Sequence, residues 1–186
     1  MENVAHKKNG VNVDQLVGTI DAVKKDPEVA DFRFRARTEW LGGGHCRTTF
    51  QNFYGAKQED TSRNVPIVVE GDEPPVLLGE NQGANAVEAL LHALGSCLSV
   101  GFIYNAAARD INVESLTFDI EGHLDLHAFL GISDKTRPGY QRIQVNYKVK
   151  ADAPKEELKE LCDYVQKTSP VLDVLRNPVT VNVEMI

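Results

Sequence analysis

The stretch Ala89–Val100 reads ALLHALGSCLSV and sets one thiol, Cys97, in an apolar run crowded by Ala93, Gly95 and Ser96. A cysteine reacts as its thiolate, and an unassisted thiol is only about a few per cent ionised at neutral pH. If the run is a helix opening at Asn85, Cys97 lies twelve residues inside it, roughly 18 Å from the start at about 1.5 Å per residue. The helix dipole favours an anion only near the first turn. A reactive Cys97 therefore needs a cation brought from another element. Without one it reads as a small apolar residue that lets a neighbouring helix come close.

Other chemistry-bearing groups are sparser. His123, Asp125 and His127 alternate, so a strand would turn them to one face, where imidazole and carboxylate suit zinc; a solvated polar face explains the same pattern. His45 and Cys46 adjoin in a turn without a clear third ligand. There is no phosphate-binding glycine loop and no serine-nucleophile motif, and no metal or cofactor is expected.

Residues 12–25 predict a helix with Val13, Leu16, Val17, Ile20 and Val23 on one side, stopped by Asp26–Pro27. FRFRARTEW alternates, so Phe32, Phe34, Ala36, Thr38 and Trp40 are expected to face inward, away from Arg33, Arg35, Arg37 and Glu39. After the LGGGH turn, CRTTFQNF and VPIVVE predict two more strands. Asn85 followed by Glu88 has capping-box spacing and opens a long helix to Ala108. That helix is apolar on nearly all sides and is expected at the centre of the fold. Its Glu88, His92 and Asn105 argue against a membrane span. Two alternating strands follow, the first with Leu116, Phe118, Ile120, Leu124 and Leu126 inward, the second with Ile143, Val145, Tyr147 and Val149 inward. A helix after Pro154 buries Leu158, Leu161, Cys162 and Val165 at i, i+3, i+4 and i+7. Ser169–Pro170 ends it, VLDVL is a short helical turn, and VTVNVEM reads as a last strand. Helices and strands are segregated, which favours an α+β fold.

At 186 residues the chain is expected to form a single domain, 1–186, with a helical extension over 1–30 and a core over 31–186. A net charge of −7 argues against a nucleic-acid partner. MENVAHKKNG carries no apolar export core. Three cysteines, an odd and sparse count, suit free thiols in a reducing cytoplasm.

NAVEALLHALGSCLSVGF resembles the cysteine helix of the OsmC family, the osmotically inducible and organic-hydroperoxide-resistance proteins. DEPPVLLGENQG, LDLHAFLGISDKTRPGYQRIQVNYKVKAD and TSPVLDVLRNPVTVNVEM are similar to one branch of that family. The resemblance runs from about Phe32 to Ile186. It implies an intertwined α+β homodimer with central long helices packed against antiparallel sheets and sites at the subunit interface. It also implies reduction of organic hydroperoxides by a reactive cysteine at the expense of an external thiol. Cys97 matches the family nucleophile. Arg47 is the best match for the arginine that supports it, with Arg37 as the runner-up. Glu88 matches the family glutamate approximately, since the peroxidase branches place it one residue earlier, at Val87 here. Within one straight helix Glu88 and Cys97, nine residues apart, point to opposite sides about 13 Å from each other. A shared role then needs a cysteine from a second subunit or a break in the helix. The departure from the family is Ser169, which stands where the peroxidases carry a second, resolving cysteine. The alternative expectation is a non-catalytic protein of the same fold that binds a small apolar or acyl ligand.

Overall fold

The computed structural model describes residues 6–186. The reading of the first ten residues falls partly on Met1–Ala5, outside the described residues. All strand pairs are antiparallel, and the chain divides into two compact units, Asp14–Leu90 and the residues up to Val13 with Leu91–Ile186.

A short hairpin, β1 (Lys7–Lys8) and β2 (Val11–Asn12), precedes helix α1 (Val13–Lys25), close to the expected span. Asp26 ends α1 and caps a 3-10 turn over Pro27–Ala30 by accepting the N–H of Glu28. In the Asp14–Leu90 unit, β3 (Arg37–Gly42), β4 (His45–Phe50) and β7 (Ile67–Gly71) form one sheet in the order β3-β4-β7. Two strands not expected from sequence, β5 (Phe53–Gly55) and β6 (Gln58–Asp60), make a small hairpin beside them.

The expected strand from Phe32 starts only at Arg37. Before it, the chain makes one bridge, Arg33 to Tyr54. Phe32, Phe34 and Trp40, expected inward, are exposed. The phenylalanines instead stack on each other and on Phe53, with ring centroids 5.3–6.3 Å apart. Aromatic side chains bury much of their area against each other in this way without reaching a core.

The β7–α2 connection, 72–85, is tied to one buried carboxylate. Asp72 accepts the backbone N–H groups of Glu73 at 2.8 Å, Glu80 at 2.9 Å and Gln82 at 3.1 Å. A Cβ on Gly79 would lie 1.8 Å from the Glu73 carbonyl oxygen, and one on Gly83 2.2 Å from that of Glu70, so this loop closes backbone against backbone. It delivers Asn85, whose Oδ1 accepts the N–H of Glu88 at 2.8 Å while Glu88 Oε2 accepts the N–H of Asn85 at 2.9 Å. The expected capping box is complete.

In the second unit, α2 (Ala86–Ala108) buries Leu94, Leu98, Phe102, Ala106 and Ala107. The apolar sides of β8 (Val113–His123) and β9 (Arg142–Ala151) pack on this core through Leu116, Phe118, Ile120, Ile143, Val145, Tyr147 and Val149. Helix α3 (Lys155–Thr168) contributes Leu158, Leu161, Cys162 and Val165, the expected stripe. Helix α4 (Pro170–Arg176) follows directly. By length and composition alone α2 is apolar enough to cross a membrane; here its buried face completes the core. Burial pushes the Tyr147 phenol up to about 12, and the adjacent Cys162 adds to the effect. Two expectations fail in this unit. β8 stops at His123, so Leu124 and Leu126 lie in the following loop. Val179–Met185, expected as a final strand, pairs with no strand among the described residues, and its valines are exposed.

The Asp72 clamp has a pH signature. The N–H groups of Gln82 and Glu80 foremost hold its carboxyl below the usual carboxylate range. A depressed carboxylate stabilises the fold above its ordinary pKa near ~4, and that contribution is lost as pH falls through the folded value. Asp72→Asn is therefore expected to lower the unfolding midpoint at neutral pH, with the gap from wild type narrowing below about pH 4. Denaturant midpoints measured against pH test this; a pH-independent gap contradicts it.

Candidate functional site

Cys97 lies half-buried on α2, where the helix meets its neighbours across small residues. A Cβ on Gly95 would come within 3.0 Å of Ile120 Cδ1 on β8, and one on Gly101 within 3.1 Å of Val165 Cγ1 on α3. A larger residue at either position would press on that side chain, which would have to give way. Close approach brings Cys97 to the α3–α4 junction. There Cys97 Sγ and Ser169 Oγ are 3.1 Å apart.

Ser169 is held at this junction by its own backbone role. It ends α3 and caps α4, accepting the N–H of Leu172 on its hydroxyl oxygen at 3.2 Å and that of Asp173 on its carbonyl at 2.9 Å. It is 5% exposed. Between α2 and β8, on a side of the helix away from Cys97, an open groove of about 490 Å³ is lined by Leu91, His92, Gly95, Ser96, Ser99, Phe118 and Ile120. Its walls are mixed, with two serine hydroxyls and an imidazole beside Leu91, Phe118 and Ile120.

The other residues expected at the site have the following partners. Arg47 sits on β4, opposite Glu39 on β3 and Glu70 on β7. Its Nε donates to Glu70 Oε1 at 2.7 Å, and His45 Nε2 lies 3.0 Å from Glu70 Oε2. Arg47 foremost, with His45 behind it and against the opposing effect of burial, holds the Glu70 carboxyl below its usual range. Arg37 pairs with Glu39 at 2.9 Å on the exposed side of β3. Glu88 serves the capping box, and α2 runs unbroken between it and Cys97. The structure thus brings Cys97 to Ser169, Arg47 to Glu70 and Glu88 to Asn85.

Two partners were missing from the site expected on sequence grounds. Ser169 was noted for the cysteine it replaces and not for its contact with Cys97. Glu70 carries a signal in retrospect: in an antiparallel sheet it falls directly across from Arg47, and opposite charges in such register attract. The expected alternation of His123, Asp125 and His127 on one strand face does not occur. His127 Nδ1 instead contacts Asp125 Oδ1 at 2.5 Å within the loop, and His123 Nε2 lies 3.7 Å from Glu121. Among the described residues no group of three His, Cys, Asp or Glu side chains is arranged to hold a metal ion.

Known proteins share this arrangement of elements. The structure is similar to an OsmC-like protein from Mycoplasma pneumoniae, with 16% identity over 78% of this chain and 89% of that one and a TM-score of 0.56. It is similar to an organic hydroperoxide resistance protein OsmC from Legionella pneumophila, with 15% identity over 77% and 88% and a TM-score of 0.51. An organic hydroperoxide resistance protein from Elizabethkingia anophelis gives 14% identity over 78% and 89%, also at 0.51. At such identities the likeness is one of fold. No curated protein matches the sequence. The family model described as OsmC-like protein matches residues 79–184, more than half of the chain and including α2, Cys97 and Ser169, and the protein belongs to that family.

Proposed function

We propose that this protein is a thiol-dependent reductase of organic hydroperoxides that uses Cys97 as its single reacting cysteine. The observation that carries this reading is the hydrogen-bonded contact between Cys97 Sγ and the Ser169 hydroxyl, on the helix whose sequence resembles the family's cysteine helix. Solved relatives of the same fold include organic hydroperoxide resistance proteins. The apolar residues that flank Cys97 in sequence suit an alkyl peroxide better than hydrogen peroxide.

In this reading the Cys97 thiolate attacks the distal oxygen of the hydroperoxide. The O–O bond breaks, the alkoxide leaves and takes up a proton as the alcohol, and Cys97 becomes a sulfenic acid. A small external thiol condenses with the sulfenic acid and releases water. A second thiol attacks the mixed disulfide, giving free Cys97 and the oxidised external disulfide. Arg47 supplies the positive charge that favours the thiolate and the charge developing on oxygen. Glu70, the carboxylate it contacts, orients it. Free thiols and an external thiol reductant suit a reducing compartment.

We further propose that the working form is a homodimer. Val179, Val181 and Val183 are 56%, 72% and 89% exposed on a segment with strand-like alternation, and Val100 and Tyr104 on α2 are about half exposed. A second copy would cover these apolar groups, and it would bring a Cys97 from the other chain to Arg47 and Glu88.

Steady-state consumption of an alkyl hydroperoxide with several small thiols and dithiols tests the activity. Turnover is expected in wild type, at least about a hundredfold less in Cys97→Ser, and roughly tenfold or more less in Arg47→Met, in line with removal of an electrostatic donor. No consumption by wild type, with an apolar ligand retained in native mass spectrometry, contradicts the reading. Sedimentation at micromolar concentration tests the assembly; a dimer is expected, and a stable monomer contradicts it.

A further inference from the structure

We propose that Ser169 is itself a catalytic residue: its hydroxyl donates the hydrogen bond that holds Cys97 as a thiolate. The inference deepens the reading of Cys97 as the reacting thiol and rests on it.

The argument is one of donors and acceptors. A serine hydroxyl has one proton and two lone pairs. The Leu172 N–H, 3.2 Å away, takes one lone pair of Ser169 Oγ. Cys97 Sγ at 3.1 Å is the other partner of this hydroxyl among the described residues. The Ser169 proton therefore has one acceptor there, the sulfur. When Cys97 is a thiol, it can donate its own proton to the second lone pair of Ser169. When Cys97 is a thiolate, the hydroxyl turns its proton to the sulfur. The second arrangement places a hydrogen bond on a charged atom, and such bonds are about twice as strong as neutral ones. Hydrogen bonding to the charged form favours that form.

The surroundings strengthen the effect. Ser169 is buried, so water competes little for its proton. The N–H of Leu172 polarises the hydroxyl and makes it a better donor. The oxygen is fixed between α3 and α4 by its capping role, so the donor needs little reorganisation when the sulfur ionises. Lastly, a hydroxyl cannot form a disulfide. The same contact that favours the thiolate leaves the oxidised sulfur open to an external thiol.

The test is the thiolate absorbance near 240 nm, followed against pH in the full-length protein and referenced to Cys97→Ser. For Ser169→Ala the Cys97 thiolate signal at neutral pH is expected to fall about threefold or more, because the bond to the charged form is lost. The variant also loses the α4 cap, which lowers the unfolding temperature; a capping role alone would leave the pH profile of the thiolate unchanged. An unchanged profile overturns the proposal. If Ser169→Ala does not fold, Ser169→Cys decides: a sulfur in place of the hydroxyl is expected to form a disulfide with Cys97 under a mild thiol oxidant. Failure to form it overturns the proposed juxtaposition. The absorbance measurement involves no peroxide. Lack of peroxide turnover with a shifted thiolate profile would therefore sink the reductase reading and leave only the hydrogen bond from Ser169 to the Cys97 thiolate standing, while an unchanged thiolate profile would sink the role of Ser169 and leave the reductase reading.

Discussion

The close approach of α2 to β8 and α3 is the constraint on which the site depends. It is set by what Gly95 and Gly101 lack. An added methyl at either would press on Ile120 or Val165 at 3.0–3.1 Å, closer than carbon contacts ordinarily come. With the glycines in place, Leu94, Leu98 and Phe102 seat in a core closed by Leu161 and Val165. That packing decides how near Cys97 comes to the end of α3. The distance from sulfur to hydroxyl, 3.1 Å, is thus a consequence of core geometry as much as of the two residues concerned.

Ser169 has two jobs that a single atom can satisfy together. Its oxygen accepts a backbone N–H to start α4, and the same hydroxyl lies 3.1 Å from Cys97 Sγ. A cysteine at 169 would offer a resolving thiol and a poorer cap, since sulfur is a weak acceptor. The serine stabilises the turn and removes the internal route to a disulfide. In the proposed reaction, turnover at Cys97 then depends on thiols supplied in solution.

Much of this organisation was legible in the sequence. The stripe Leu158, Leu161, Cys162 and Val165 appeared with helical spacing and is buried as expected, because an amphipathic helix against a core has one orientation that hides its apolar side. The Asn85–Glu88 box appeared for a local reason: its two hydrogen bonds span three residues and need no tertiary partner. What was misread depended on contacts distant in sequence. The alternation of Phe32 to Trp40 looked like a core strand, but three phenylalanines satisfied each other outside one. The alternation from His123 to His127 continued past the point where β9 ceases to pair with β8. The valines near the C-terminus keep the strand pattern with no strand paired to them among the described residues. Glu70 was passed over because an arginine's partner across a sheet is fixed by register, which the order of residues alone does not display.

In the proposed reaction Cys97 reacts alone, with Ser169 beside it and no second sulfur to close a disulfide. Mass spectrometry after one equivalent of an alkyl hydroperoxide, with a sulfenic-acid trap present and external thiol absent, tests it most directly. A single trapped adduct on Cys97 is expected, with Cys46 and Cys162 unmodified. Cys162 lies seven residues before Ser169 on α3, about 10 Å of helical rise, whereas disulfide-linked Cα atoms are normally within about 7 Å. A Cys97–Cys162 crosslink in high yield would contradict the account and make this a two-cysteine enzyme.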